Sequence, residues 1–299
     1  MFLKWAPMSQ KILQRLMSYR KATSADIPKI KSLWEEVFGD ANDYINRFIT
    51  HFGIETCYVC ELNSEIVAMA FALPTTLLSP SNFEGVPEGR GSLYKNLPLK
   101  YLYACATHPQ HQNQGIMQAL ISVIYNDACN ENIAAIFLHP AKSYLADYYR
   151  KLGFEEFFHR DHFWYYKEKL LADESIPLHP FNFISPETYH KKRVQKLENK
   201  YFINWNEDFF RFINKKEVQL CESGNTIFAY KTWFNNIIVD ELLGDMPHEQ
   251  VARLLIEHLP DFETVNIRLQ GNEFCCGLIK WCKTLENKPK NGYFAFAME

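Results

Sequence analysis

Along the chain the spacing of apolar residues switches between a period near 3.6 and a period of 2, the signatures of helix and strand. In "TSADIPKIKSLWEEVFGD" the residues Ile27, Ile30, Leu33, Trp34, Val37 and Phe38 fall at helical spacing. Thr23 and Asp26 predict a capping box ahead of them, and Gly39 predicts the end of the helix. "NDYINRFITHF" predicts a second helix. "TCYVCELNSEIVAMAFALP" alternates and predicts two strands joined by an Asn-Ser turn. The stretch from Ser79 to Pro98, rich in Gly, Pro and Ser, predicts a long loop of the kind that is usually functional or disordered.

The pattern then repeats strand and helix. "LKYLYACATHP" predicts a strand, and "GIMQALISVIYNDACNEN" a helix with Ile116, Leu120, Ile121 and Ile124 on one face. "IAAIFL" predicts a buried strand, "SYLADYYRKL" a helix, and "GFEEFFHRDHFWYYKEKL" a closing pair of strands. Such alternation indicates an α/β unit, closing near Leu170. "LADESIPLHPFNFISP" has linker composition. Beyond it "NTIFAYKT", "NIIVDELLGD", "HEQVARLLIEHL" and "TVNIRL" repeat the strand, strand, helix, strand order of the first unit. We therefore expect domains at 18–170 and 180–299 behind a lead-in at 1–17, consistent with a chain of 299 residues. The final "NGYFAFAME" is apolar on both alternating sides, which predicts a buried terminal strand.

Composition narrows the partners. Lys+Arg 32 against Asp+Glu 35 leaves no basic field for a nucleic-acid backbone. No apolar run reaches membrane-spanning length, and the opening "MFLKWAPMSQKILQRLM" lacks a secretory cleavage pattern. The eight cysteines make no disulfide or zinc framework: Cys57 and Cys60 should point to opposite faces of a strand, and Cys275, Cys276 and Cys282 have no partners at zinc spacing. Free thiols in a cytoplasmic protein are the expectation, with self-association left open.

One short stretch carries chemistry. "HQNQGIMQAL" passes from strand to helix through amides and Gly115, with no acid from Thr107 to Ala119. A helix N-terminus presents unpaired N–H groups and partial positive charge, which suits a pyrophosphate. A residue without Cβ lets a ligand approach the backbone. Taken alone, the turn is better read as Gly115 turning the chain and the amides capping the helix, since one glycine carries little weight.

"THPQHQNQGIM" resembles the acyl-CoA motif of the GCN5-related N-acetyltransferases (GNAT), with Thr107, Pro109, Gln112 and Gly115 in place and Met117 where that motif has Gly or Ala. "DYYRKLGFEEF" resembles the family's Phe-Tyr-x-Lys-x-Gly-Phe segment at Tyr149, Lys151, Gly153 and Phe154. The resemblance covers residues 18–168, and the tandem layout is similar to the enhanced-intracellular-survival branch of that family. It implies two tandem GNAT-like domains, each a mixed, mostly antiparallel sheet flanked by helices, the second degenerate. It implies acetyl-CoA as cosubstrate, with no metal. The pantetheine would lie along Cys105, Ala106 and Thr107, and the pyrophosphate at Gln112, Asn113, Gln114, Gly115, Ile116 and Met117.

The implied reaction moves an acetyl group to a primary amine of a small molecule. Tyr149 would serve as general acid, and a backbone N–H near the end of the Tyr101–Thr107 strand as oxyanion donor. "LKYLYACAT" contains no Glu to act as base. Water relayed by Tyr101 or Tyr103, the carboxylates of Glu35, Glu36 or Glu84, and the terminal Glu299 are the candidates; aminoglycoside-modifying relatives use a terminal carboxylate. Histidines 108, 111 and 139 are expected in surface or capping roles, and "HRDH" lacks the Glu of a metalloprotease helix. In the second unit "LLGDMPHEQ" places Asp245 and Glu249 where a pyrophosphate would sit, so only the first unit is expected to bind CoA. The rival readings are a non-catalytic acyl-CoA-responsive protein and a tandem aminoacyl or thiol-ligating transferase.

Overall fold

The computed structural model describes residues 17–80, 96–177, 179–215, 218–286 and 288–298. The first half runs β1 (Met17–Lys21), α1 (Ile27–Phe38), α2 (Asn42–Phe52), β2 (Cys57–Leu62), β3 (Glu65–Leu78), β4 (Asn96–Thr107), α3 (Ile116–Asn130), β5 (Ala135–Leu138), α4 (Leu145–Lys151) and β6 (Glu155–Tyr166). The second half follows as α5 (Lys167–Ala172), β7 (Asn182–Phe183), α6 (Pro186–Lys196), β8 (Phe202–Ile203), α7 (Glu207–Asn214) and β9 (Gln219–Ser223). It ends with β10 (Thr226–Trp233), β11 (Asn236–Leu243), α8 (His248–His258), β12 (Thr264–Gln270) and β13 (Phe274–Trp281).

Local chemistry sets these boundaries. Thr23 and Asp26 form the expected capping box, and Asp26 also takes two hydrogen bonds from Arg20, at 2.7 and 2.9 Å. That guanidinium holds the Asp26 carboxyl well below the usual range. Gly39, at φ 72°, returns its N–H to Glu35 and stops α1. Cys57 and Cys60 do point to opposite sides of β2, one into each of two separate cores. The expected closing pair of strands near residue 160 is instead one strand of 12 residues, β6. Its two ends pair with different partners, so no turn is needed within it.

All strands join one sheet of 13, in the order β1-β2-β3-β4-β5-β13-β6-β12-β11-β10-β9-β7, with β8 added on β3. The order is the same element sequence read from either end. β1 to β5 correspond to β7, β9, β10, β11 and β12, and the two halves exchange strands at the centre. The second half's β13 lies against β5, and the first half's β6 lies against β12. β6 and β13 pair with each other between them. Both outer hairpins carry a bulge at matching places, opposite Ala70 on β4 and at Asp240 on β11.

Alternating side chains feed three cores. On one face α1, α2, α6 and α7 cover the sheet of both halves. On the other, α3 and α4 cover the first half, and α5 and α8 the second. Residues Tyr293–Ala297 are buried as expected, but in the shared core rather than as a sheet strand. Phe296 turns to φ 61°, which ends any extended run. The segment is held by Trp205 Nε1, which donates to the Ala295 carbonyl at 2.7 Å, and by the Tyr101 hydroxyl, which donates to that of Ala297.

Beside this segment Arg193 and Glu241 form a fully buried ion pair at 2.9 Å, with the Tyr189 hydroxyl donating to the same carboxylate at 2.8 Å. Arg193→Met removes one partner and strands the other charge. It should cost about 3–5 kcal/mol of unfolding free energy, the range for breaking a buried pair. Denaturant unfolding with the midpoint unchanged would contradict this.

Candidate active site

The first half's cleft opens where β4 parts from β5. The two strands pair only from Leu99 to Leu102 against Ala135 to Leu138. Beyond Leu102, among the described residues, no strand pairs with β4 on that side. The bulge falls just there: Met69 faces Ala106 and Phe71 faces Tyr103, so Ala104 and Cys105 share one partner and Ala104 adopts φ 49°. The chain therefore presents backbone from Tyr103 to Thr107 along an open edge.

The amide turn continues from it. Pro109–His111 form a short 3-10 turn, capped by His108 Nδ1, which accepts from the Gln110 N–H at 3.2 Å. The Gln112 amide donates to the Thr107 carbonyl at 3.2 Å, and that of Gln114 to the Gln110 carbonyl at 3.3 Å. The amides thus hold the turn rather than the helix. Asn113 and Gly115 sit at positive φ, 59° and 78°. Gly115 occupies the N-cap of α3, with no side-chain cap and no acid in the first turn. A Cβ built there would meet no atom within 4 Å. Uncapped N–H groups of this kind can take an anion.

Tyr149 reaches the same region from α4. Gly153, at φ 86°, reverses the chain so that Phe154 folds back edge-on to Tyr149, with ring centroids 5.8 Å apart. Tyr149 shares its core with Ile116, while Cys105, Met117 and Tyr148 pack against that core. Burial first, then Cys105 and Tyr148, raises the Tyr149 phenol well above its usual pKa, so it is protonated at neutral pH. Among the described residues its hydroxyl has no hydrogen-bond partner. Burial pushes the Cys105 thiol up to about 12.

The other face of β4 carries aromatic residues. The Tyr103 and Tyr44 hydroxyls lie 2.9 Å apart, and Trp34 and Phe48 stand at 6.0 and 5.1 Å from the Tyr103 ring. Phe212 of the second half stacks on His51 of α2 at 5.0 Å. The sequence placed Trp34 and Phe48 on helices, but only the three-dimensional fold brings Phe212 to them. Among the carboxylate candidates, Glu36 pairs with His108 Nε2 at 3.3 Å and is engaged at the end of β4. Glu84 and Glu299 lie outside the described residues. His108 and His111 are 5.6 Å apart between rings, while His139 Nδ1 meets the Cys276 carbonyl at 2.6 Å.

The matching region of the second half is lined differently. β11 and β12 pair from Asn236 to Val239 against Thr264 to Ile267, then part. Asp240 stands at that parting, bound by Arg268 at 3.0 Å and Lys231 at 3.1 Å. At the following turn the Thr226 hydroxyl accepts the N–H groups of Asp245 and Met246, each at 3.0 Å. Gly244 lies so close to Thr226 that a Cβ would come within 2.4 Å. A hollow at this parting is lined by Arg160, Asp240, Arg268 and the C-terminal segment, and another lies beside His258; neither contains a residue expected at the first half's site.

Residues 93–157, which hold β4, the turn, α3 and Tyr149, match the acetyltransferase (GNAT) domain. No curated protein matches the sequence. The fold is similar to that of a GCN5-related N-acetyltransferase from Anabaena variabilis, with TM-score 0.67 at 13% identity, covering 89% of this chain and 73% of that one. Eis1 from Mycobacterium abscessus gives TM-score 0.59 at 12% identity, with coverage of 89% and 73%. A putative acetyltransferase from Pyrococcus horikoshii gives 0.58 at 14%, with coverage of 95% and 96%. The mixed α/β sheet flanked by helices is thus the fold of these acetyltransferases. Among the described residues no helix is long and apolar enough to cross a membrane.

Proposed function

We propose that this chain, which has the GCN5-related N-acetyltransferase fold and carries that domain over residues 93–157, moves the acetyl group of acetyl-CoA to a primary amine. Acyl transfer in general follows from the fold and the domain match. The finer reading rests on one observation: the protonated, unpartnered Tyr149 phenol packs with Cys105 at the open edge of β4, beside the uncapped helix at Gly115.

In this reading the pyrophosphate meets the N–H groups from Gln112 to Met117, and the pantetheine extends β4 along Cys105, Ala106 and Thr107. A neutral amine attacks the thioester carbon, and a β4 N–H receives the oxyanion. As the C–S bond breaks, the thiolate takes the Tyr149 proton, while the amine releases one proton to water and so restores the phenol. The acceptor approaches over the Tyr44–Tyr103 face, which α7 of the second half completes. Burial raises the Tyr103 phenol, so it orders water rather than acting as base. The first half is the catalytic unit, and the second shapes the acceptor side.

Tyr149→Phe tests the assignment. It should lower kcat by about 10²-fold while leaving acetyl-CoA affinity intact, the lower end for loss of a general acid. Thiol release across an amine panel gives the rate, and full activity in the variant would remove Tyr149 from the reaction.

A further inference from the structure

A second chemical cluster lies outside the cleft, at the centre of the sheet. Glu156, His159 and Cys275 offer a carboxylate, an imidazole and a thiol whose ligating atoms all lie within 4.8 Å of one another. Glu156 and His159 are on β6, and Cys275 stands directly opposite His159 on β13. In a regular strand, residues three apart point to opposite faces. Register shifts around Gly277 break the regularity here and turn Glu156 and His159 to the same side.

The spacing of these atoms also suits a shared ion. Glu156 Oε2 is 3.4 Å from His159 Nε2, long for a hydrogen bond. Two ligand atoms each about 2.0–2.1 Å from a tetrahedral zinc ion stand about 3.4 Å apart. The other Glu156 oxygen is engaged by Arg150, which fixes the carboxylate and turns Oε2 toward His159, the outer-shell arrangement common around metal ligands. A thiolate, an imidazole and a carboxylate together suit zinc or cobalt rather than magnesium or calcium. All three residues reach the surface, so the site has an entry path.

We propose that Glu156, His159 and Cys275 bind one zinc-class divalent ion. His159 ligates through Nε2 as a neutral ring, Glu156 through Oε2, and Cys275 as a thiolate whose proton passes to the buffer. Three protein ligands leave a fourth position for water. Because β6 comes from one half and β13 from the other, the ion ties together the two exchanged strands.

The test uses the untagged full chain, freed of metal. Cobalt(II) should add one equivalent with a thiolate-to-cobalt charge-transfer band, and zinc should displace it. Cys275→Ser should abolish the band and His159→Gln should weaken it, whereas Cys282→Ser should leave it unchanged. Zinc should also raise the melting temperature by mass action and protect Cys275 of the unmodified chain from alkylation, read by peptide mass. The alkylation arm keeps the test valid if a variant fails to fold. No band, a band that survives Cys275→Ser, or equal alkylation of Cys275 with and without zinc would overturn the proposal. Each of those results leaves His159 and Glu156 as an ordinary ion pair.

Discussion

A chain ending at Ile176 is expected to be insoluble and inactive, although it keeps Gly115, Cys105 and Tyr149. Cutting there removes β13 from between β5 and β6, and β12 from the far side of β6. β6 would then have no neighbour at all, and β5 would expose an apolar edge of the kind that aggregates. Phe137 and Phe158 would lose Phe294, whose ring lies 5.5 and 5.2 Å from theirs. Losing α7 would uncover Phe48, Phe52 and His51, all of which touch Phe212. Uncovering several large apolar side chains, at about 1.5–3 kcal/mol each, exceeds the net stability of an ordinary domain. Soluble yield and thermal melting of the fragment read the outcome. A monomeric fragment that melts cooperatively and binds acetyl-CoA like the full chain would show that the first half folds alone.

Gly115→Glu is expected to abolish acetyl-CoA binding in a chain that still folds. The residue is at φ 78°, so any side chain costs about 1–3 kcal/mol of backbone strain. No atom within 4 Å would meet the new Cβ, so the cost is conformational rather than steric and the fold survives. The glutamate then places a negative charge at the uncapped start of α3, where a pyrophosphate would lie. Its carboxylate can itself satisfy the free N–H groups, so repulsion and competition act together. Gly115→Ala separates the terms: it carries the strain without the charge and should weaken binding far less. Wild-type affinity in a glutamate variant that still melts cooperatively would move the cofactor elsewhere.

Much of this was readable from local pattern. Helix α1 announced itself by six apolar positions, a capping box and Gly39, because each of these is a short-range device. The turn at Gly115 was readable because a uncapped glycine start and missing acids are sequence properties with direct electrostatic meaning. The strand exchange was not. β6 and β13 have ordinary alternation, and nothing in a strand's own residues records which edge it joins. The convergence of Cys275 on His159 depends on that exchange, and the approach of Phe212 to His51 on how α7 packs against α2, so neither could be read from spacing. The terminal segment shows the limit of periodicity. Tyr293 to Ala297 are apolar on both sides because they fill a core between helices and sheet, not because they form a central strand.

The asymmetry between the two clefts is the central claim, and cofactor stoichiometry tests it most directly. Calorimetric titration of acetyl-CoA into the full chain should find one site, because the helix start at Gly115 has no acid in its first turn, while the second half's helix carries Glu249 in its first turn, just after Asp245. The heat should vanish in Gly115→Glu and persist in Asp245→Asn. Two sites per chain, or one site that survives Gly115→Glu, would contradict the account.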